Sequence, residues 1–591
     1  MRRAVLFFLA ALAYASGLAG LWRYGRMSLQ NRWPQQGDGV LFWLQWANDP
    51  GSRRIAMAAV LALAVLAVSG WAARSGWRWL RPAAWAVRIG GHPAVAGAGV
   101  LLALAPHAVA PLVRPDASGK PSVVFILLDT LRLDYTGWGG SPFPGITPRL
   151  DALAANGAAF TQAISQASWT KPAVATMLTG LTPSRHLAVG RPNLGYYPNL
   201  PADRRTLAEA FAAAGYDTAA FSTNPNISVQ FGFQQGVYTW REDTFMPAEG
   251  VARFAQDWIR GRRDPFFLYL HFNDAHYPYA APEGYKGRYD HTGLDVPLTG
   301  ETEKDFRELR REWSAQEMEH LRAAYAEEVS YLDEQVGTLV EGILQQRDDV
   351  FIVIVADHGE EFLEHGDVGH GHSLYDELLR VPLQFTWSPR LALRPGRHPQ
   401  QVRTVDVTPT LLELAGLSWP AAAPGLDGQS LLPALRGEAL QDRPAFAETD
   451  SAGSPRSGPT GPLRAWREPG EKLIVTDPWS AQAGRYWLFD LERDPGERRN
   501  LAVERTERVA SLLEHLQRSG WLIRKDALPE VKFNLASLSE EQRHEMAELG
   551  YAEEAALPAG LIENFSPGAV PWATPNLGAA QQESGVPSAG P

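Results

Sequence analysis

The 591-residue chain contains no cysteine. That absence excludes a disulfide scaffold, iron–sulfur clusters, thiolate zinc sites and a cysteine nucleophile. Acidic residues are scarce near the amino terminus: the first 120 positions carry 13 Lys and Arg against 3 Asp and Glu, and the remaining 471 carry 42 against 63. A basic quarter joined to an acidic remainder, with a net charge of -11 overall, predicts two environments and argues against a nucleic-acid partner. No internal repeat of 20–50 residues is visible.

What fills the basic quarter is apolar. Residues 4–22 and 55–73 are each 19 residues without Asp, Glu, Lys or Arg, long enough to cross about 30 Å of hydrocarbon. Residues 89–113 form a third such run that contains His92 and His107 and is interrupted by Pro93, Pro106 and Pro111. It reads as a kinked third span, or else as an interfacial helix pair. A secretory signal competes for the first run, because Arg2 and Arg3 precede it and Ala13-Tyr14-Ala15 resembles a cleavage site. The later runs keep the protein in the membrane under either reading. Arg2, Arg3 and the four arginines of the loop 74–88 belong inside by the positive-inside rule. The expectation is a multi-pass inner cell-membrane protein with everything beyond residue 113 on the extracytoplasmic, periplasmic side.

The expected organisation is a membrane anchor over 1–114, an α/β core over 121–440, a smaller carboxyl-terminal α+β subdomain over 441–554 and a tail over 555–591. That tail is rich in Ala, Gly, Pro, Ser and Gln and is expected to be disordered. Within the core, apolar β-branched runs alternate with helical patterns, which predicts a mostly parallel sheet flanked by helices. Strands are expected at 123–128 (VVFILL), 266–272 (FFLYLHF) and 350–355 (VFIVIV). Helices are expected at 147–157, 201–215 and 315–346. Beyond about residue 443 the pattern predicts strands at 472–475 and 485–490 and a charged helix at 504–517, on an antiparallel sheet.

Polar, metal-capable residues follow the core strands. Asp129 follows the first, Asp274 and His276 the second, and Asp357-His358-Gly359 the third, and ligand sites in open α/β sheets gather beyond such carboxyl ends. In Ser168-Trp169-Thr170-Lys171-Pro172, the proline suits a first helical turn and Thr170 suits the position before it. Amide groups and the helix dipole favour an anion there, and a bound cation could convert the hydroxyl into a nucleophile. Each feature alone also reads blandly, Thr170 as a helix cap and any strand-end Asp as a turn former. Their convergence requires a suitable sheet order.

The sequence resembles the sulfatase family of the alkaline-phosphatase superfamily from about residue 121 to 551. PSVVFILLDTLRLDYTGWGG is similar to that family's opening strand and metal loop, and TPRLDALAANGAAFTQAISQASWTKPAVATMLTGLTPSRH to its nucleophile segment. FLYLHFNDAHYPY resembles the strand carrying an active-site His, and VADHGEEFLEHGDVGHGHSLYDELLRVPL its second metal segment. VDVTPTLLELAGL, LDGQSLLPALRGE and YWLFDLERDPGERRNLA resemble its closing motifs. The resemblance implies an alkaline-phosphatase/sulfatase-like α/β fold. It implies that Asp129, Asp357 and His358 are metal ligands, that Thr170 is both nucleophile and ligand, and that His276 contacts the transferred group or protonates the leaving oxygen. His370, more than His372, falls near a substrate-contacting position of relatives, although His365, His370 and His372 equally read as a solvated Gly/His loop. Lys171 is placed to neutralise an anionic substrate, or is a solvated first-turn lysine.

The match departs from the pattern at two points. Formylglycine-using members carry Cys or Ser followed by x-Pro-x-Arg, and here that register reads Thr170-Lys171-Pro172-Ala173-Val174. Threonine does not yield the aldehyde, and the arginine is missing. The usual Asp-Asp pair is reduced to Asp129-Thr130. These departures resemble the threonine-nucleophile branch of the superfamily. The expected activity is metal-dependent hydrolysis of a sulfate or phosphate ester of a small molecule, glycan or lipid. The alternatives are a phosphoglycerol- or phosphoethanolamine-type transferase and an inactive tethered relative. One divalent ion is expected: calcium, as is common in the family, or manganese, magnesium or zinc, which a site with one His and one fewer carboxylate also suits.

Overall fold

The computed structural model describes residues 115–190, 199–244, 246–294, 312–421, 423–450, 462–477 and 483–520. The three apolar runs and the tail lie outside these residues. Among the described residues no helix is long and apolar enough to cross a membrane.

The strands in chain order are β1 (Ser122–Leu128), β2 (Ala158–Ile164), β3 (Asp217–Ser222), β4 (Thr239–Glu242), β5 (Phe266–Phe272), β6 (Val350–Ala356), β7 (Glu361–Phe362), β8 (Val368–Gly369), β9 (Arg380–Trp387) and β10 (Gly396–Arg403). Eight of them form one sheet in the order β10-β2-β9-β6-β1-β5-β3-β4, while β7 and β8 pair with each other. Only β9 runs against the rest, antiparallel to both β6 and β2. Every residue of β1, β5 and β6 is buried. These three central strands are covered on both faces, which is why their sequences are near-continuous apolar runs and not alternating ones.

The longer helices are α1 (Pro148–Asn156), α2 (Thr170–Thr179), α3 (Leu207–Ala213), α4 (Ala248–Ile259), α5 (Ala315–Gln346), α6 (Val407–Leu414) and α7 (Thr506–Arg518). Helix α5 packs on α1 and α4, whereas α2, α3 and α6 pack together as a second group. The 201–215 segment is helical only over α3. A capping box closes the helix start at Thr206, whose hydroxyl accepts the Glu209 amide while the Glu209 carboxylate accepts the Thr206 amide, so the preceding residues are left outside the helix.

Four further strands, β11 (Ala445–Thr449), β12 (Leu463–Glu468), β13 (Glu471–Thr476) and β14 (Tyr486–Asp490), form the expected antiparallel sheet. Alternation divides its side chains. Phe446, Trp466, Leu473, Val475 and Leu488 meet Val509, Leu512, Leu513 and Leu516 of α7, a spacing that places one apolar stripe on the helix. Ala445, Ala447, Ile474 and Phe489 face the other way, against Ile164, Leu374, Tyr375 and Leu379. Full burial of an aliphatic side chain contributes about 1.5–3 kcal/mol, so this second layer joins the small sheet firmly to the end of β2.

The first turn of α2 is fastened from behind by His186. Its Nε2–H lies 3.1 Å from the Pro172 carbonyl, and its Nδ1 accepts the Ala188 amide at 3.0 Å. Burial, opposed only in part by the Pro172 carbonyl, pushes this imidazole down to about 3. Because the folded value lies below the unfolded one, of about 6.5, the unfolded chain binds the extra proton. The stabilisation is therefore present above pH 6.5 and is lost as the pH falls toward 3. In thermal melts, wild-type protein is expected to exceed His186→Gln by the widest margin at pH 7.5 and by a narrower margin at pH 4.5; a margin that does not change with pH contradicts this role.

Candidate active site

Adjacent parallel strands create the site. Leu128 at the end of β1 is in register with Ala356 at the end of β6, so the next residues, Asp129 and Asp357, leave the sheet side by side. The turn after β1 is strained: Thr130 adopts φ 57°, a left-handed conformation that costs a β-branched residue about 1–3 kcal/mol. Two contacts hold it there. The Thr130 hydroxyl donates to the Ala275 carbonyl at 2.6 Å, and its amide donates to Asp357 Oδ1 at 3.3 Å. After β6, Gly359 allows close approach of the chain, since a Cβ there would lie 1.9 Å from the Glu377 carbonyl oxygen. Arg132 fastens the two loops together. It is buried, bonds Asp134 and Glu364, and donates to the Glu360 carbonyl.

Thr170 is the first residue of α2, and Trp169 takes the cap position expected for it. Its hydroxyl lies 3.2 Å from His358 Nε2 and 3.5 Å from Asp129 Oδ1. His358 Nδ1 donates to the Gly359 carbonyl at 2.9 Å, which leaves the Nε2 lone pair facing Thr170, 3.4 Å from Asp357 Oδ2 and 3.6 Å from Asp129 Oδ1. One donor atom each from Asp129, Asp357 and His358 lies within 4.8 Å of the others. All four residues are buried.

Such a cluster suits a cation. Burial alone would raise Asp129, but the hydrogen bond from His271 and the neighbouring imidazoles hold it down to about 2. Burial, and then the charge of Asp129, push Asp357 well above the usual carboxylate range. Asp357 Oδ2 is buried without a hydrogen-bond partner among the described residues, a costly arrangement for a carboxylate oxygen. The residues fit a divalent ion: Asp129 Oδ1, Asp357 Oδ2, His358 Nε2 and Thr170 Oγ1 form a mixed oxygen–nitrogen donor set of the kind used by catalytic metals.

Two further imidazoles border this cluster. His276 Nδ1 bonds the Tyr277 carbonyl at 2.6 Å, and its ring stands edge-on to His370 at 4.9 Å. The His370 ring lies 4.4 Å from that of His358, and its Nδ1 bonds Glu360 Oε1 at 3.0 Å. His276 and His370 are thus brought to the site. His372 is tied elsewhere, its Nε2 2.7 Å from Glu361 Oε2. The solvated-loop reading of these histidines is corrected: His370 and His372 are buried, and His365 stacks on Tyr375 while bonding Glu377 at 2.6 Å.

The solvated reading of Lys171 is corrected too. It is fully buried, with Nζ 5.3 Å from the Phe231 ring centroid and 5.9 Å from that of Trp169, and burial pushes its amine well below the usual value. Asp274 accepts the Ala248 amide at the start of α4, a structural role. Sequence reasoning missed Glu360, Asn224 and His271. The last carried a signal, a lone histidine inside the apolar run FFLYLHF.

Comparison with known proteins extends this picture. The family model described as Sulfatase matches residues 121–417, and that described as N-sulphoglucosamine sulphohydrolase, C-terminal, matches residues 364–521. Choline-sulfatase of Rhizobium meliloti is 28% identical, over 65% of this chain and 83% of the relative. Delta 4,5-hexuronate-2-O-sulfatase of Bacteroides thetaiotaomicron is 24% identical, over 66% and 86%. Among solved structures, the phosphonate monoester hydrolase of Agrobacterium radiobacter shares the fold at TM-score 0.55 and 21% identity, over 70% of this chain and 100% of that one.

Chelator-stripped protein is expected to take up one equivalent of manganese or calcium in equilibrium dialysis with elemental analysis, and Asp357→Ala to take up none. Equal uptake by the two proteins contradicts this donor set.

Proposed function

The chain belongs to the sulfatase family, and on that premise we propose that it hydrolyses a sulfate ester with Thr170 as nucleophile and with a divalent ion held by Asp129, Asp357, His358 and Thr170. The observation that carries this reading is the convergence of the Thr170 hydroxyl, the His358 Nε2 lone pair and two buried carboxylates at the start of α2. A bound cation would supply Lewis-acid charge, lowering the hydroxyl's pKa and offsetting charge on the transferred group.

The side chains supply the rest. The amino-terminal end of α2, which begins at Thr170, would favour the sulfuryl oxygens through the positive end of its helix dipole. Attack by Thr170 Oγ, whose hydroxyl proton passes to solvent, forms an O–S bond and breaks the S–O bond to the alcohol, whose oxygen takes a proton from His276 or His370; that imidazole recovers its proton from solvent. Water then attacks sulfur in the Thr170 sulfate ester, releasing hydrogen sulfate and returning the threonine hydroxyl. Relatives named choline-sulfatase and delta 4,5-hexuronate-2-O-sulfatase make the sulfate ester of a small alcohol or a glycan unit the leading candidate. Residues 1–114 would anchor the enzyme in the membrane with this site on the extracytoplasmic side, a reading supported by the length of the apolar runs and the charge asymmetry.

Thr170 itself supports a second reading. An alkoxide attacks phosphorus as well as sulfur, and a phospho-threonine resolved by an acceptor alcohol in place of water would make the enzyme a transferase to a lipid or envelope glycan. A panel of 4-nitrophenyl sulfate, choline sulfate, 4-nitrophenyl phosphate and phenyl phosphonate esters separates these readings. Thr170→Ala is expected to lower kcat/KM for the preferred ester by roughly a thousandfold or more, with Thr170→Ser retaining part of the rate. Wild-type turnover by Thr170→Ala contradicts both readings; a preference for the phosphorus esters overturns the first, and transfer of the phosphoryl group to an added acceptor alcohol instead of water supports the second.

A further inference from the structure

Asp129 meets the rest of the site with one oxygen only. Its Oδ1 faces Thr170 and His358. Its Oδ2 is occupied from the other side by two buried donors: Asn224 Nδ2 at 2.7 Å and His271 Nε2 at 2.8 Å. His271 comes from the strand beside β1, and Asn224 from the loop after the strand beyond it. Strand β5 lies next to β1 and carries His271 in register with Leu127. Strand β3 lies next to β5 and ends two residues before Asn224.

Each donor is itself held in place. The second amide hydrogen of Asn224 reaches Asn273 Oδ1 at 3.0 Å, and its Oδ1 accepts the Asn226 amide at 2.9 Å. On the other side, Tyr269 and His271 are two residues apart on β5 and so share one face of the strand, with the Tyr269 hydroxyl 3.0 Å from His271 Nδ1. The tyrosine donates to Nδ1, which fixes the tautomer that carries its hydrogen on Nε2, and that hydrogen goes to Asp129. Asp357 is restrained in the same sense, since its Oδ1 accepts the amides of Thr130 at 3.3 Å and His358 at 3.0 Å.

We propose that Asn224 and His271, the latter set by Tyr269, are positioning residues that reserve Asp129 Oδ2 for protein hydrogen bonds and thereby present Asp129 to the bound cation as a one-oxygen ligand. This rests on the reading of Asp129, Asp357, His358 and Thr170 as a divalent-metal site. It goes beyond that reading by assigning work to three residues that touch neither the cation nor the substrate. The physical benefit is orientation. A carboxylate free to rotate in a buried pocket would present either or both oxygens, whereas one anchored by two donors keeps a single geometry, and such outer hydrogen bonds typically tune metal affinity by about 10–100-fold.

The test uses the full-length protein, stripped with chelator and titrated with manganese chloride alone in a calorimeter, with the melting temperature of each metal-free protein as a fold control. Asn224→Ala and His271→Leu are each expected to weaken manganese binding by about 10–100-fold. His271→Gln, whose side-chain amide offers a donor near the Nε2 position, is expected to restore most of that affinity. Tyr269→Phe removes only a hydroxyl from a packed ring, so it folds even if the leucine variant does not, and it is expected to weaken binding in the same direction by a smaller factor. Wild-type affinity in Asn224→Ala, His271→Leu and Tyr269→Phe overturns the proposal while leaving the metal site standing. A wild-type protein that binds no manganese, calcium, magnesium or zinc overturns the metal site and this proposal together.

Discussion

Two carboxylates leave a parallel sheet at the same level from neighbouring strands, and much of the site is a consequence of that. The register of β1 with β6 leaves no room for Asp129 and Asp357 to avoid each other. Burial removes the water that would screen them, so their repulsion is worth far more than it would be at a surface. The surroundings respond in opposite ways. Asp129 gathers His271 and Asn224 and stays ionised, while Asp357 is pushed toward its neutral form and keeps one oxygen without a hydrogen-bond partner among the described residues. A cation between them would relieve both penalties at once. The same cation would sit against the one hydroxyl at the start of α2.

Sequence made the elements legible where chemistry was local. The β5 range and the α5 range match the expected segments at both ends, because continuous apolar runs and a Ser314/Glu317 capping box leave little alternative. Asp129, Asp357, His358, Thr170, His276 and His370 were identifiable by motif, and the fold brings them together. What stayed hidden depended on tertiary contacts. Lys171 looks solvated on a helical wheel, yet α2 is buried along its whole length. The histidines of HGDVGHGH look like a flexible loop until each is seen to bond a different carboxylate: His365 with Glu377, His370 with Glu360, and His372 with Glu361. Asn224 follows a strand two places across the sheet from Asp129, and nothing local announces the meeting.

The absence of cysteine takes on a mechanistic meaning in this setting. A family fold usually associated with a cysteine- or serine-derived aldehyde here presents a plain threonine at the corresponding helix start, with neither the following arginine nor the second aspartate after β1. Thr130 stands where that second carboxylate would be. Thr130 turns away to bond the Ala275 carbonyl, and its amide serves Asp357 instead. With Thr170 as the proposed nucleophile, no hemiacetal collapse would expel the transferred group, so resolution would have to come from an incoming oxygen nucleophile. Whether that nucleophile is water or an acceptor alcohol separates a hydrolase from a transferase on the same site.

The central claim is that Thr170 carries the group being transferred. Protein quenched in acid during steady-state turnover of its preferred ester and digested for peptide mass spectrometry tests it directly. The account predicts a sulfo or phospho adduct localised to Thr170, absent from protein quenched before substrate addition and diminished in Asp357→Ala. Turnover with no adduct at Thr170 under conditions that trap the intermediate, or an adduct localised to another residue, would contradict it.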